Sequence, residues 1–225
     1  MVKYNYGKSL NTDSVQGKMS QVKSVSKANR KEGSADPGGL EFKSIPTRNA
    51  IKIAYYLMAA DGQIFHNEED KFDAIGAELD PKFAQHKLNI VWECQKQLDK
   101  VIDPEDYFDA LKEGIDDALI SSRKREDSFI TPKLLVWDLL TIAYSDEKYD
   151  ETERLLLKYI VRKLNVDKAL FLELENCILT LMDLEEEVRW LKTTERPYLI
   201  IEAMLNEIAD RKNVIFESVK DLISL

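Results

Sequence analysis

An internal repeat at an offset of 85 residues constrains this chain more than any other feature. It sets Leu57 over Ile142, Asp61 over Asp146, Ile64 over Tyr149, Glu68 over Glu153, Phe72 over Leu157, Ile75 over Ile160 and Leu79 over Leu164. Each copy reads as an apolar helix, then Asp-x-x-Φ-x-x-x-Glu, then a second apolar helix. Seven positions separate the Asp closing one helix from the Glu opening the next, and so short a connection forces an antiparallel hairpin. One hairpin cannot bury both of its stripes, so the two copies are expected to pack together.

The rest of the sequence reads as helix as well. Ala50, Ile51, Ile53, Ala54, Leu57 and Met58 recur at spacings of three and four over Thr47 to Ala60. Asp61-Gly62 stops that helix, and Asn67 is the expected cap of the next, whose first turn is Glu68-Glu69-Asp70. Asp80-Pro81, Asp103-Pro104 and Thr131-Pro132 each place a capping residue before a proline, the order that suits a helix start. Asp150 with Glu153 forms a capping box. Further helices are expected from Asp167 to about Leu181, around Glu185 to Leu191, from Pro197 to about Ala209 and from Asn213 onward. With only 8 glycines and 6 prolines the chain has too little turn chemistry for a barrel or sandwich. The expected fold class is all-α: a compact bundle of two related helical hairpins plus extra C-terminal helices.

Five of the glycines and six serines fall in the first forty residues, which lack apolar periodicity; residues 1–43 read as a flexible basic arm. The helical domain spans 44–225, with halves 44–120 and 131–225 joined by a polar linker, 121–130. Residues 1–40 carry seven basic and three acidic residues, a balance of +4, which leaves −13 on residues 41–225 within a net charge of −9. So acidic a body repels phosphate backbones and anionic lipid, which excludes nucleic acid and favours a basic protein partner or a cation. No 18-residue apolar run and no leader-like segment are present, so neither membrane insertion nor secretion is expected. Cys94 and Cys177 make no disulfide framework and suit buried thiols in the cytoplasm.

Asp61, Glu68, Asp146 and Glu153 are the candidate metal ligands: four carboxylates brought together by paired hairpins would suit a hard cation such as Ca²⁺ or Mg²⁺. The plainer alternative makes Asp61 and Gly62 a helix-ending turn and the two glutamates first-turn acids favoured by the helix dipole. An EF-hand is excluded because neither its Gly at position six nor its Glu at position twelve follows Asp61 or Asp146. His66 and His86 stand at no zinc-binding spacing, Gly7-Lys8-Ser9 lacks the rest of a phosphate loop, and no Gly-x-Ser-x-Gly or dinucleotide fingerprint occurs. Trp92, Trp137 and Trp190 lie on apolar helix faces and read as core or interface aromatics.

Ala59-Ala60-Asp61-Gly62-Gln63-Ile64-Phe65-His66-Asn67-Glu68-Glu69 resembles the tellurite-resistance TerB-like family, in which an apolar helix runs into an Asp-Gly turn followed by an apolar residue and an acid. The resemblance covers about residues 48–80, with a weaker second copy over 134–165 where Glu147 stands in place of the glycine. It implies a pseudo-symmetric helical bundle acting as a non-enzymatic module of stress response, in some members with metal bound through acidic residues. Asp61 and Glu68 match the motif, and Asp146 and Glu153 are their weaker counterparts.

Three functional readings follow. The leading one is a cytoplasmic binding or scaffold module without turnover, facing a protein partner and sensing a divalent cation through its acidic hairpin loops. The second is a metal-dependent enzyme using the same carboxylates. The third is a structural homo-oligomer held through the C-terminal helices, where Val214, Ile215, Phe216, Val219, Leu222 and Ile223 form an apolar stripe.

Overall fold

The computed structural model describes residues 44–120, 128–145 and 149–224. The arm expected over 1–43, most of the linker and Asp146 lie outside the described residues. Eight α-helices form among them: α1 (Thr47–Met58), α2 (His66–Leu79), α3 (Phe83–Leu98), α4 (Tyr107–Ile120), α5 (Pro132–Ala143), α6 (Glu151–Lys163), α7 (Lys168–Thr193) and α8 (Tyr198–Ser224). The all-α expectation holds. Its one departure is a two-residue ladder, β1 (Ile45–Pro46) against β2 (Phe129–Ile130), antiparallel and registered Ile45 to Ile130.

The repeat offset survives into three dimensions without a gap. α1 and α5 start and end 85 positions apart, and so do the starts of α2 and α6 and of α3 and α7. The repeat therefore spans three helices, one more than the hairpin read from sequence. α1 is buried around nearly its whole circumference, through Ala50, Ile51, Ile53, Ala54, Tyr55, Tyr56, Leu57 and Met58, and α5 likewise through Leu135 to Leu140, Ile142 and Ala143. These two helices pack on one another at the centre. Each hairpin's second helix then lies against the other hairpin's first, α2 on α5 and α6 on α1.

The first repeat closes its outer face with α3 and α4. Arg48 and Lys52 on α1 both bind Glu93 of α3, at 2.7 and 2.8 Å. Gly114 of α4 accepts the ring of Tyr56, whose hydroxyl donates to Gln97 at 3.1 Å. In the second repeat α8 runs back along α7, and its Val219 reaches the main core. α7 and α8 are single long helices where shorter ones are expected from the acid run at Glu185 and from Asp210-Arg211-Lys212. No proline or glycine interrupts either, and the charges cross-link them: Lys212 binds Glu185, and Arg211 meets Glu187 at 3.6 Å. A second small core of Leu184, Leu191 and Ile208 forms between their distal parts.

Of the three tryptophans only Trp137 is buried. Trp92 and Trp190 are half exposed, each under a cation, Lys96 at 4.8 Å and Arg196 at 5.0 Å from the ring centre. Among the described residues, no helix is long and apolar enough to cross a membrane.

Candidate functional site

The three members of the expected acidic quartet among the described residues, Asp61, Glu68 and Glu153, take local roles. Glu68 and Glu153 are 3% and 6% exposed, and each turns back to its own helix start. The Phe65 N–H donates to Glu68 Oε2 at 2.8 Å and the Asp150 N–H to Glu153 Oε2 at 2.9 Å. Asp150 completes its box by accepting from the Glu153 N–H at 2.8 Å. At the first hairpin the cap is Phe65 instead of the expected Asn67, which lies inside the first turn. Glu68 selects that register, because a third-position glutamate reaches back three residues. Asp61 is exposed and accepts from the Gln63 N–H at 2.8 Å, while Gly62 takes φ +79°, a left-handed conformation that favours glycine. Among the described residues no group of three or more His, Cys, Asp or Glu side chains gathers as a metal-holding cluster.

The site with the form of a binding surface lies elsewhere, and the comparison of the two repeats finds it. In the first repeat α2 and α3 are clamped together. Lys87 donates to Glu69 at 2.9 Å and to Asp73 at 2.8 Å, and the Phe83 ring sits so close to Gly76 that a Cβ there would meet it at 2.5 Å. Burial would pull the Lys87 ammonium down, but the two carboxylates outweigh it and hold it above the usual lysine range. In the second repeat each clamp residue is replaced: Glu69 by Arg154, Asp73 by Lys158, Lys87 by Leu172, Gly76 by Val161 and Phe83 by Lys168. Both acids have become bases and the bridging base has become leucine, so no ion pair can join the helices there.

The result is an open groove between α6 and α7 with a volume of about 1150 Å³. Val161, Val166, Phe171, Leu172, Leu179 and Met182 supply apolar surface, and Leu155, Leu172 and Leu179 are left 47, 44 and 42% exposed. Four cations line it, Arg154, Lys158, Arg162 and Lys168, against one acid, Glu175. This sign is opposite to that of the chain as a whole, from which the expectation of a basic partner came.

One end of the groove holds two buried polar atoms without a hydrogen-bond partner, Tyr149 Oη and Arg154 Nε. Leaving such groups unsatisfied costs about 1–3 kcal/mol each, so they mark where an acceptor is missing. Tyr149 stacks on Tyr144 at 4.4 Å between centres and carries the Arg154 guanidinium 5.1 Å from its own ring. Burial, then the Glu175 carboxylate, raises both phenols; Tyr144 reaches about 12. Both therefore stay protonated donors at neutral pH. Sequence reading missed this site because it counted matches between the repeats. The signal lay in the mismatches, above all the inversion of charge at Glu69/Arg154 and Asp73/Lys158.

No family model, curated protein or solved structure matches this chain.

Proposed function

We propose that this protein is a non-enzymatic helical binding module and that the groove between α6 and α7 is its working surface. The observation that carries the reading is the unclamped second repeat. The first repeat shows how this pair of helices closes, with a lysine across two acids, and the second carries the residues that keep it open. Leucines exposed side by side in a groove and rimmed by charged residues have the character of an interaction site. The resemblance of residues 48–80 to the TerB-like family fits a scaffold of this kind, and the two free thiols support a cytoplasmic setting.

A photo-crosslinking amino acid placed at Leu172 and, in a second protein, at the equivalent Lys87 tests the reading inside cells. Discrete adducts from position 172 and none from position 87, with the crosslinked peptide identified by mass spectrometry, are expected. Equal labelling at both positions, or none at 172, sinks the reading.

A further inference from the structure

Resting on that reading of the groove, we infer that its occupant is an acidic amphipathic helix of a partner protein, whose carboxylates meet the groove's cations, one of them at the unpartnered Tyr149 hydroxyl and Arg154 Nε.

Three observations carry the inference. The first is shape. The α7 wall presents Lys168, Leu172, Glu175, Leu179 and Met182, a ridge at spacings of three and four that runs about 21 Å along the helix at 1.5 Å per residue. The opposite wall is α6, which contributes Arg154, Leu155, Lys158, Val161 and Arg162. An elongated channel between two helices, with leucines reaching solvent along it, accepts the apolar face of a third helix. Its volume of about 1150 Å³ exceeds the usual range for small-molecule pockets, roughly 300–1,000 Å³.

The second observation is charge. Four cations to one acid on an otherwise acidic body select an anionic occupant and repel the rest of this chain's own basic segments. Residues 1–40, with their balance of +4, are the wrong sign to fill the groove. The third is the pair of unsatisfied donors. A guanidinium donates and cannot accept, and a protonated phenol donates as well, so a carboxylate satisfies both with charge-assisted bonds that a neutral amide carbonyl makes more weakly. Glu175, the one acid lining the groove, lies 3.5 Å from the Tyr144 hydroxyl.

The test uses a fluorescein-labelled helical peptide of about fifteen residues, four turns, with leucines at i, i+4, i+7 spacing and glutamates flanking them. Two twins carry glutamine or lysine in place of every glutamate. Anisotropy titrations and amide shifts of the labelled full chain are recorded together. The glutamate peptide is expected to shift α6 and α7 amides and to bind at least tenfold more tightly than the glutamine twin, with the lysine twin weaker still.

The triple variant Arg154→Glu, Lys158→Asp, Leu172→Lys installs the first repeat's clamp, so it is expected to fold, checked by its dichroism spectrum, and to lose at least tenfold of the affinity. Tyr149→Phe should lose several-fold for the glutamate peptide and distinctly less for the glutamine twin. Equal binding of all three peptides in the groove overturns the acidic occupant but leaves the groove as a binding surface. If no peptide shifts the α6 and α7 amides, the groove reading itself fails. Self-association that the triple variant abolishes would put a second copy there and overturn the partner helix.

Discussion

Ile45 and Ile130 face each other across the two-residue ladder, and they are also each other's counterparts in the repeat, 85 positions apart. An antiparallel pair formed by a residue and its own repeat-mate lies on a two-fold axis, so this contact marks the pseudo-dyad that relates the hairpins. Both side chains are buried to within 1%. The symmetry breaks one step away: the Thr47 N–H donates to the Ser128 carbonyl at 3.1 Å, but its counterpart is Pro132, which has no N–H to give.

Truncating either isoleucine should therefore remove a core contact and loosen the junction of the repeats together. Ile130→Ala is expected to cost about 2–5 kcal/mol in urea unfolding, the usual range for a fully buried isoleucine. The double variant with Ile45→Ala should cost less than the sum, because the residues touch. Strict additivity would show that the ladder does not join the halves.

Gly114 offers a test of close packing. An added Cβ would overlap the Tyr56 ring, and that ring is buried and tied to Gln97. Alanine is the better helix former by about 1 kcal/mol, whereas overpacking costs about 1–3 kcal/mol. Gly114→Ala is expected to be destabilising on balance. Pairing it with Tyr56→Leu should recover much of the loss, and a stabilised single variant would show that the ring yields.

Much of this architecture is legible in the sequence because it is written in local terms. The proline at Pro132, the cap at Thr131 and the box at Asp150 and Glu153 act within a turn of the chain, and the structure uses all of them. The α3 helix starts at Phe83, two residues beyond the Pro81 start that the Asp80-Pro81 pair suggests, with Asp80 accepting from the Lys82 N–H in the turn before it. What is not legible depends on partners distant in sequence. The continuity of α7 through Glu185 to Glu187 rests on Lys212 and Arg211 of α8, and the groove exists because Leu172 stands where the other repeat has a lysine. Glu68 and Glu153 cap locally because a carboxylate at a third helical position has a backbone N–H within reach before any long-range partner.

The capping roles of Glu68 and Glu153 can be separated from cation binding by melting. Glu153→Ala should lower stability by about 1 kcal/mol through loss of its half of the box, and Glu68→Ala similarly. Millimolar Ca²⁺ or Mg²⁺ should leave the midpoints of the parent and both variants unchanged. A cation bound only by the folded state would raise the parent by about 2.7 kcal/mol at a hundredfold excess over Kd. A rise of that kind, lost in Asp61→Asn and Glu68→Gln, would restore the metal reading.

Acid sensitivity should be concentrated where α1 meets α3. Burial alone would raise the Glu93 carboxyl, but Lys52 and Arg48 outweigh it and hold it below the ordinary glutamate range. A carboxyl whose folded pKa lies below its unfolded value, near 4.3, contributes stability that is complete above that value and is lost as pH falls through the folded pKa. Glu93→Gln keeps the shape of the side chain and abolishes its titration. It should therefore be less stable than the parent at pH 7, and the two urea midpoints should converge as pH drops below about 4. Because the trio is a quarter to a third exposed, 1 M salt should shrink the pH 7 difference. Midpoints that fall in parallel from pH 7 to pH 3 would show that the Arg48–Glu93–Lys52 bridge contributes nothing to the acid limb, and that other carboxylates set it.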